Sequence, residues 1–206
     1  MTVRHSPSAT AGLRLGILVN VKARISVGIL DKRQDMLEQF FLGLCLFAGS
    51  ARGLDATLLV PEPTDIPLPE RCRRVNEWYR QLGKDNVLLI SIHCNAAGPG
   101  KDWTTARGWC AYTTRGGTRA DALATSLYTA ARHHLPGHRL HTDYTDAAPD
   151  LEKDFYLLHH TLTPAVLVEN LFYDNPSDCA FLLSPEGQQA IVDLHVDGIT
   201  TYLSTL

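Results

Sequence analysis

The chain reads as an α/β protein, a single-domain three-layer sandwich in which a mostly parallel, twisted sheet is flanked by helices. Three observations carry this reading. The run Pro164-Ala165-Val166-Leu167-Val168-Glu169-Asn170 is apolar on consecutive positions, which marks a strand buried on both faces. A second run, Asn86-Val87-Leu88-Leu89-Ile90-Ser91-Ile92-His93-Cys94-Asn95, has the same character. Strand-like and helix-like segments also alternate along the chain, the pattern of a parallel sheet with helices on its faces.

The elements follow in order. Residues 13–21, rich in Leu, Ile and Val, predict a first strand, and residues 36–48 a helix closed by Gly49 and Gly53. Residues 54–60 predict a strand that Pro61 and Pro63 break. Residues 69–82 form an amphipathic helix whose arginines, Arg71, Arg73 and Arg74, read as a solvated face. After the strand ending at His93 comes a glycine-bearing loop over 96–107, then a strand over 108–113. Residues 119–134 carry apolar side chains at helical spacing, at Leu123, Leu127 and Ala131. Residues 136–152 are loop-like, and 155–159 read as a short strand or turn. Residues 176–183 predict a short helix. Ser184-Pro185-Glu186 then opens a last helix to about 203, with serine as N-cap and proline in the first turn.

At 206 residues the chain has enough material for one sizeable core. Hydrophobic residues make up 45% and charged residues 20%, which excludes a disordered chain, and a net charge of −3 argues against a general polyanion binder. Cys45, Cys72, Cys94, Cys110 and Cys179 are odd in number and lack CxxC spacing, so they read neither as a disulfide framework nor as a zinc knuckle. No segment is long and apolar enough to span a bilayer. Residues 1–12 read as a tail without a secretory signal, ahead of a catalytic domain over 13–206. The expectation is synthesis in the cytoplasm and action elsewhere by an unidentified route.

Both apolar runs end in a polar residue, His93 in one and Glu169 in the other, at the strand ends where α/β folds place their chemistry. One His and one Glu delivered to a single edge suggest a metal or acid–base site; the alternative is two polar strand ends facing water. Cys94, beside His93, reads either as a nucleophile or as a small buried residue.

Ser91-Ile92-His93-Cys94-Asn95-Ala96, Ala106-Arg107-Gly108-Trp109 and the run 164–170 together resemble the zinc-dependent N-acetylmuramoyl-L-alanine amidases of the type 3 family, from about residue 53 to 202. Leu59-Val60-Pro61-Glu62, Glu70-Arg71 with Val75-Asn76, Phe155-Tyr156-Leu157-Leu158 and Phe172-Tyr173-Asp174-Asn175 extend the likeness. The resemblance implies cleavage of the amide joining N-acetylmuramic acid to the first L-alanine of peptidoglycan. It also implies one zinc held by two histidines and a glutamate. His93 matches the second histidine ligand, Glu169 the glutamate that assists the attacking water, and Glu38 is the best match to the glutamate ligand. Arg107 and Asn95 are candidate substrate-binding residues. The expected partner is peptidoglycan or its muropeptides, at the cell wall, with no nucleic acid, no membrane insertion and a monomeric state.

The first fifty residues depart from this pattern. The family's first strand is followed by a glycine-histidine-glycine turn that supplies a ligand, whereas here Val21-Lys22-Ala23 follows Asn20. A protonated lysine repels a cation. The site is then degenerate, leaving a catalytically inactive cell-wall-fragment binder, or another histidine such as His5 completes it, or the start of the chain is altered. His159 and His160 could also line the cleft. A zinc exopeptidase on a related fold is a third reading.

Overall fold

The computed structural model describes residues 16–20, 53–62, 64–99 and 102–206, the first segment as backbone only. The helix expected over 36–48 and the tail 1–12, with His5, Lys22 and Glu38, lie outside these residues. The strands are β1 (Gly16–Asn20), β2 (Asp55–Leu58), β3 (Val87–Asn95), β4 (Cys110–Thr113), β5 (Leu151–Glu152) and β6 (Ala165–Phe172). They form one sheet in the order β2-β1-β3-β6-β4-β5. The first four in that order run parallel, while β4 is antiparallel to β6 and β5 follows β4.

The helices are α1 (Leu68–Leu82), α2 (Arg119–His134), α3 (Tyr156–His159), α4 (Pro176–Leu183) and α5 (Pro185–Leu203). The short strand or turn expected at 155–159 is thus one turn of helix. Its Leu157 and Leu158 are both buried, so apolarity without a usable period gave the wrong element. The later helices start where side chains can satisfy their free N–H groups. Thr118 and Asp121 form a capping box on α2, Asn175 caps α4, and Ser184 accepts from the Gly187 N–H at 3.0 Å to open α5.

Every residue of β3 from Val87 to Cys94 is buried, as the unbroken apolar run predicted. Alternation along the strands sorts the core into two layers. Leu88, Ile90 and Ile92 with Val166 and Val168 face α2 and α5, where Leu123, Leu127, Ile191 and Leu194 pack against them. Val87 and Leu89 with Ala165 and Leu167 face α1 and α3, against Cys72, Val75, Leu157 and Leu158. On the first face the helices approach closely: a Cβ at Gly198 of α5 would lie 2.8 Å from Leu127 Cδ2 and 3.0 Å from its Cα. Among the described residues no helix is long and apolar enough to cross a membrane.

Candidate active site

The parity that sorts the core also fixes where the polar residues point. His93 shares a face with Ser91, Leu89 and Val87, and Glu169 shares that face with Leu167 and Ala165. Both therefore emerge on the side of α1 and α3. In the ladder His93 and Glu169 are direct register partners on neighbouring parallel strands, and Asn20 of β1 pairs with Ser91 on the other side. The C-terminal ends of β1, β3 and β6 thus share one rim. A cleft of about 420 Å³ opens there, lined by His93, Glu169, Asn95, Arg71, Tyr156 and Tyr173 among others.

The His93 ring is buried, and its Nε2 lies 2.7 Å from the Ser91 hydroxyl, on the same face one pleat back. The strand end beneath it is fixed from the other side. Asn170 donates its amide to the His93 carbonyl at 3.0 Å and accepts from the Trp109 indole N–H at 3.0 Å. Trp109 packs edge-on against Tyr128 with ring centroids 4.8 Å apart, and all of Trp109, Asn170 and Tyr128 are removed from solvent. Past Glu169 the register slips: two steps along β3, from His93 to Asn95, match three along β6, from Glu169 to Phe172. The extra residue is a β-bulge, and Leu171 within it sits at φ 61°, a left-handed conformation that leucine adopts only under constraint.

Acidic side chains pin the loop that follows β3. Asp174 accepts from the N–H groups of Ala97 and Gly98, both at 2.9 Å, and Asp178 accepts from Gly108 at 2.9 Å and from Phe172 at 3.0 Å. Across the antiparallel pair Cys110 is the register partner of Glu169. Burial, reinforced by the nearby Glu169 carboxylate, pushes its thiol up to about 12, so it stays protonated.

The candidate residues are placed as follows. Asn95 lines the cleft, with its Oδ1 accepting from the Ala96 N–H at 2.9 Å. Arg107 is exposed on the loop before β4; its carbonyl accepts from the His141 ring at 2.9 Å, and its side chain has no ion pair among the described residues. Cys94 is buried on the opposite parity to His93, in the core beneath α2 and α5. His159 and His160 are exposed, and it is Tyr156, on which the His160 ring stacks at 3.9 Å, together with Phe155 and Leu157 that line the cleft. Glu38 lies outside the described residues.

Arg71 departs from expectation. Read as part of a solvated basic face, it is 1% exposed and lines the cleft. Its Nε donates to the Ile66 carbonyl at 2.7 Å and its Nη2 to Asp65 at 2.6 Å. The signal was present: Arg71 precedes Val75 by one turn and so shares the buried face of α1, while Arg73 is exposed and pairs with Glu70 and Glu77. Ser91 was also detectable, as a polar residue between Leu89 and His93 on one side of an apolar strand, a side that Asn95 shares.

His93 and Glu169 are of the donor types that zinc takes. Among the described residues, however, no three His, Cys, Asp or Glu side chains come together to hold a metal. The fit is therefore that of His93 as one ligand in a set that the described residues do not complete.

A mixed sheet between helices, with a histidine and a glutamate register-paired at the rim of a cleft, defines a single α/β catalytic domain. Residues 50–201 match the N-acetylmuramoyl-L-alanine amidase family, and the chain belongs to that family. No curated protein matches it in sequence. Among solved structures it is similar to an N-acetylmuramoyl-L-alanine amidase from Clostridium difficile 630, at 19% identity and a TM-score of 0.74 over 94% of this chain and 99% of that one. The catalytic domain of CwlV, an N-acetylmuramoyl-L-alanine amidase from Bacillus (Paenibacillus) polymyxa var. colistinus, is similar at 18% identity, with a TM-score of 0.72 over 94% and 99%. Ami1 from Mycobacterium smegmatis is similar at 16% identity, with a TM-score of 0.74 over 95% and 100%.

Proposed function

We propose that the protein hydrolyses the amide joining the lactyl group of N-acetylmuramic acid to the first L-alanine of the stem peptide, with zinc as its cofactor. The observation that supports this is the pairing of His93 with Glu169 at the rim of a cleft, in a chain of the amidase family. Glu169 accepts a proton from the attacking water and returns it to the departing amine. Ser91 and Asn170 hold the ring and the carbonyl of His93, which keeps the histidine in place relative to Glu169. Zinc, when bound, supplies a more acidic water and a polarised carbonyl, with His93 and Glu38 among its ligands. The substrate lies in the cell wall, and the protein acts there.

Glu169→Gln keeps size and hydrogen-bonding capacity but removes the proton acceptor. Release of stem peptide from purified peptidoglycan should fall about 10²- to 10⁴-fold while the fold and the zinc content, measured on both proteins, stay unchanged. Equal activity in the two proteins would rule out Glu169 as the base. A second reading, a binder of cell-wall fragments without catalysis, is favoured by Lys22 standing where the resemblance places a ligand histidine. It requires a wild-type protein that binds muropeptides yet releases no peptide and carries no stoichiometric zinc.

A further inference from the structure

Asp150 is a carboxyl group that the fold hides and the catalytic cleft does not use. It stands just before β5 and is 1% exposed. Its Oδ2 lies 2.5 Å from the hydroxyl of Thr113, which is itself fully buried, and that hydroxyl is also 3.3 Å from the Thr114 carbonyl. Threonine has one hydroxyl proton to give. Both contacts are hydrogen bonds at once only when Asp150 carries a proton and donates to Thr113, which donates on to Thr114. The second carboxyl oxygen, Oδ1, is buried without a hydrogen-bond partner among the described residues. An ionised carboxylate would leave that oxygen charged and dry.

Nothing packed against Asp150 compensates such a charge. From α2 come Asp121, in the first turn, and Tyr128, whose hydroxyl donates to the His141 carbonyl at 2.5 Å. Arg132, further along α2, donates to the Tyr144 hydroxyl at 2.8 Å. From β4 comes only Thr113, because Tyr112 turns to the other face and meets Phe155 edge-on. Within the loop, Asp143 and Asp146 accept from the N–H groups of Thr145 and Ala148. Beyond β5, Lys153 lies over the Phe155 ring. No lysine, arginine or histidine bonds to Asp150 among the described residues. Burial drives the carboxyl above its ordinary value against the pull of the Thr113 bond, and Asp121 and Asp146 add to the rise.

The segment that Asp150 closes is held at few points. Its start is fixed by the His141 N–H, which donates to the Trp109 carbonyl at 2.9 Å, and its middle by Arg132 on Tyr144. Residues 142–147 are all exposed, and Ala147 sits at φ 74°. Asp150 with Thr113 is the buried anchor of its far end. We propose that residues 141–150 form a proton-dependent latch, closed on the β4 edge while Asp150 is a neutral acid and loosened when it ionises. His141, Thr142 and Leu151, at the two ends of the segment, line a cleft of about 470 Å³, so the latch sets how firm that wall is.

The sign follows from linkage. An opened segment exposes Asp150 to water and returns it to the ordinary carboxylate value, while the closed form holds its proton to higher pH. Closing therefore takes up a proton between the two values, and opening becomes up to about tenfold easier for each pH unit crossed. Below that window the latch is fully shut.

Hydrogen exchange from about pH 4 to about pH 8, expressed as protection factors, reads the latch directly. In wild type the amides of 143–152 should lose protection as the pH rises, relative to those of β3 and β6. Asp150→Asn keeps the shape and cannot ionise, so its segment should show no such fall and should exceed wild type at the upper end. NMR of the Asp150 carboxyl carbon in wild type makes the test independent of how the variant folds. Its titration must lie above the ordinary aspartate value and end where protection levels off. Wild-type protection that does not change with pH, the same fall in Asp150→Asn, an equal fall in β3 and β6, or a carboxyl that titrates as an exposed aspartate would each overturn the proposal.

Discussion

Asn170 stands at the point where the histidine, the bulge and the indole meet. Its side chain uses its acceptor on Trp109 and its donor on His93, with no water within reach of either. Asn170→Ala leaves a buried indole N–H and a buried carbonyl each short of a partner, at about 1–3 kcal/mol apiece. The urea midpoint should fall accordingly. Activity of the fraction that remains folded should fall as well, because the end of β3 is no longer tethered. An Asn170→Asp variant retains the acceptor toward Trp109 but loses the donor toward His93, so it should recover stability less well than its size suggests.

Among the elements, the α2–α5 contact shows how one position can reverse a general preference. Alanine replaces glycine in a helix interior with a gain of about 1 kcal/mol. At Gly198 the new methyl would press on the Leu127 Cα, which is backbone and cannot swing aside. Overpacking of this kind costs about 1–3 kcal/mol, so Gly198→Ala should lower the melting temperature rather than raise it. The helix and strand limits that could be read in the sequence are those written in local chemistry. The Ser184 cap marked the start of the last helix and unbroken apolar runs marked β3 and β6, while the caps at Thr118 and Asn175 carry the same local signal for two further helix starts. What could not be read depends on partners distant in sequence. The reversed direction of β4 follows from its pairing with β6, and the two-residue β5 has no pattern of its own. The site divides in the same way. His93 and Glu169 announced themselves as polar ends of apolar strands. Tyr156 and Tyr173 reach the cleft only because segments distant in sequence from His93 pack against the rim, and nothing local marks them.

Across the whole molecule the two faces of the sheet differ in what they tolerate. The α2–α5 face encloses His195 completely, with Nδ1 donating to the Ile191 carbonyl at 2.8 Å. Burial drives its pKa from 6.5 down to about 4, so the ring is neutral in the folded protein. The unfolded chain binds a proton there below about pH 6.5 and the folded one does so only near 4. Stability from this group is therefore complete above 6.5 and is lost as the pH falls toward 4, by an amount on the order of 3 kcal/mol. Denaturation of wild type and His195→Leu across that range should show a shallower pH slope in the variant. The opposite face, under α1 and α3, is where the sheet gives up closure to hold the cleft.

Leu171 belongs to both demands at once, and this shapes how the sequence can drift. Its left-handed backbone serves the bulge beside Glu169, and its side chain is fully buried in the layer beneath α2 and α5. Glycine would relieve about 1–2 kcal/mol of backbone strain but would empty a site worth about 2–5 kcal/mol. A β-branched residue would fill the site and worsen the strain. Glycine and β-branched replacements at this position should therefore both lower stability, and lineages that place a smaller residue here should carry compensating enlargements at the neighbouring core positions of α2 or α5.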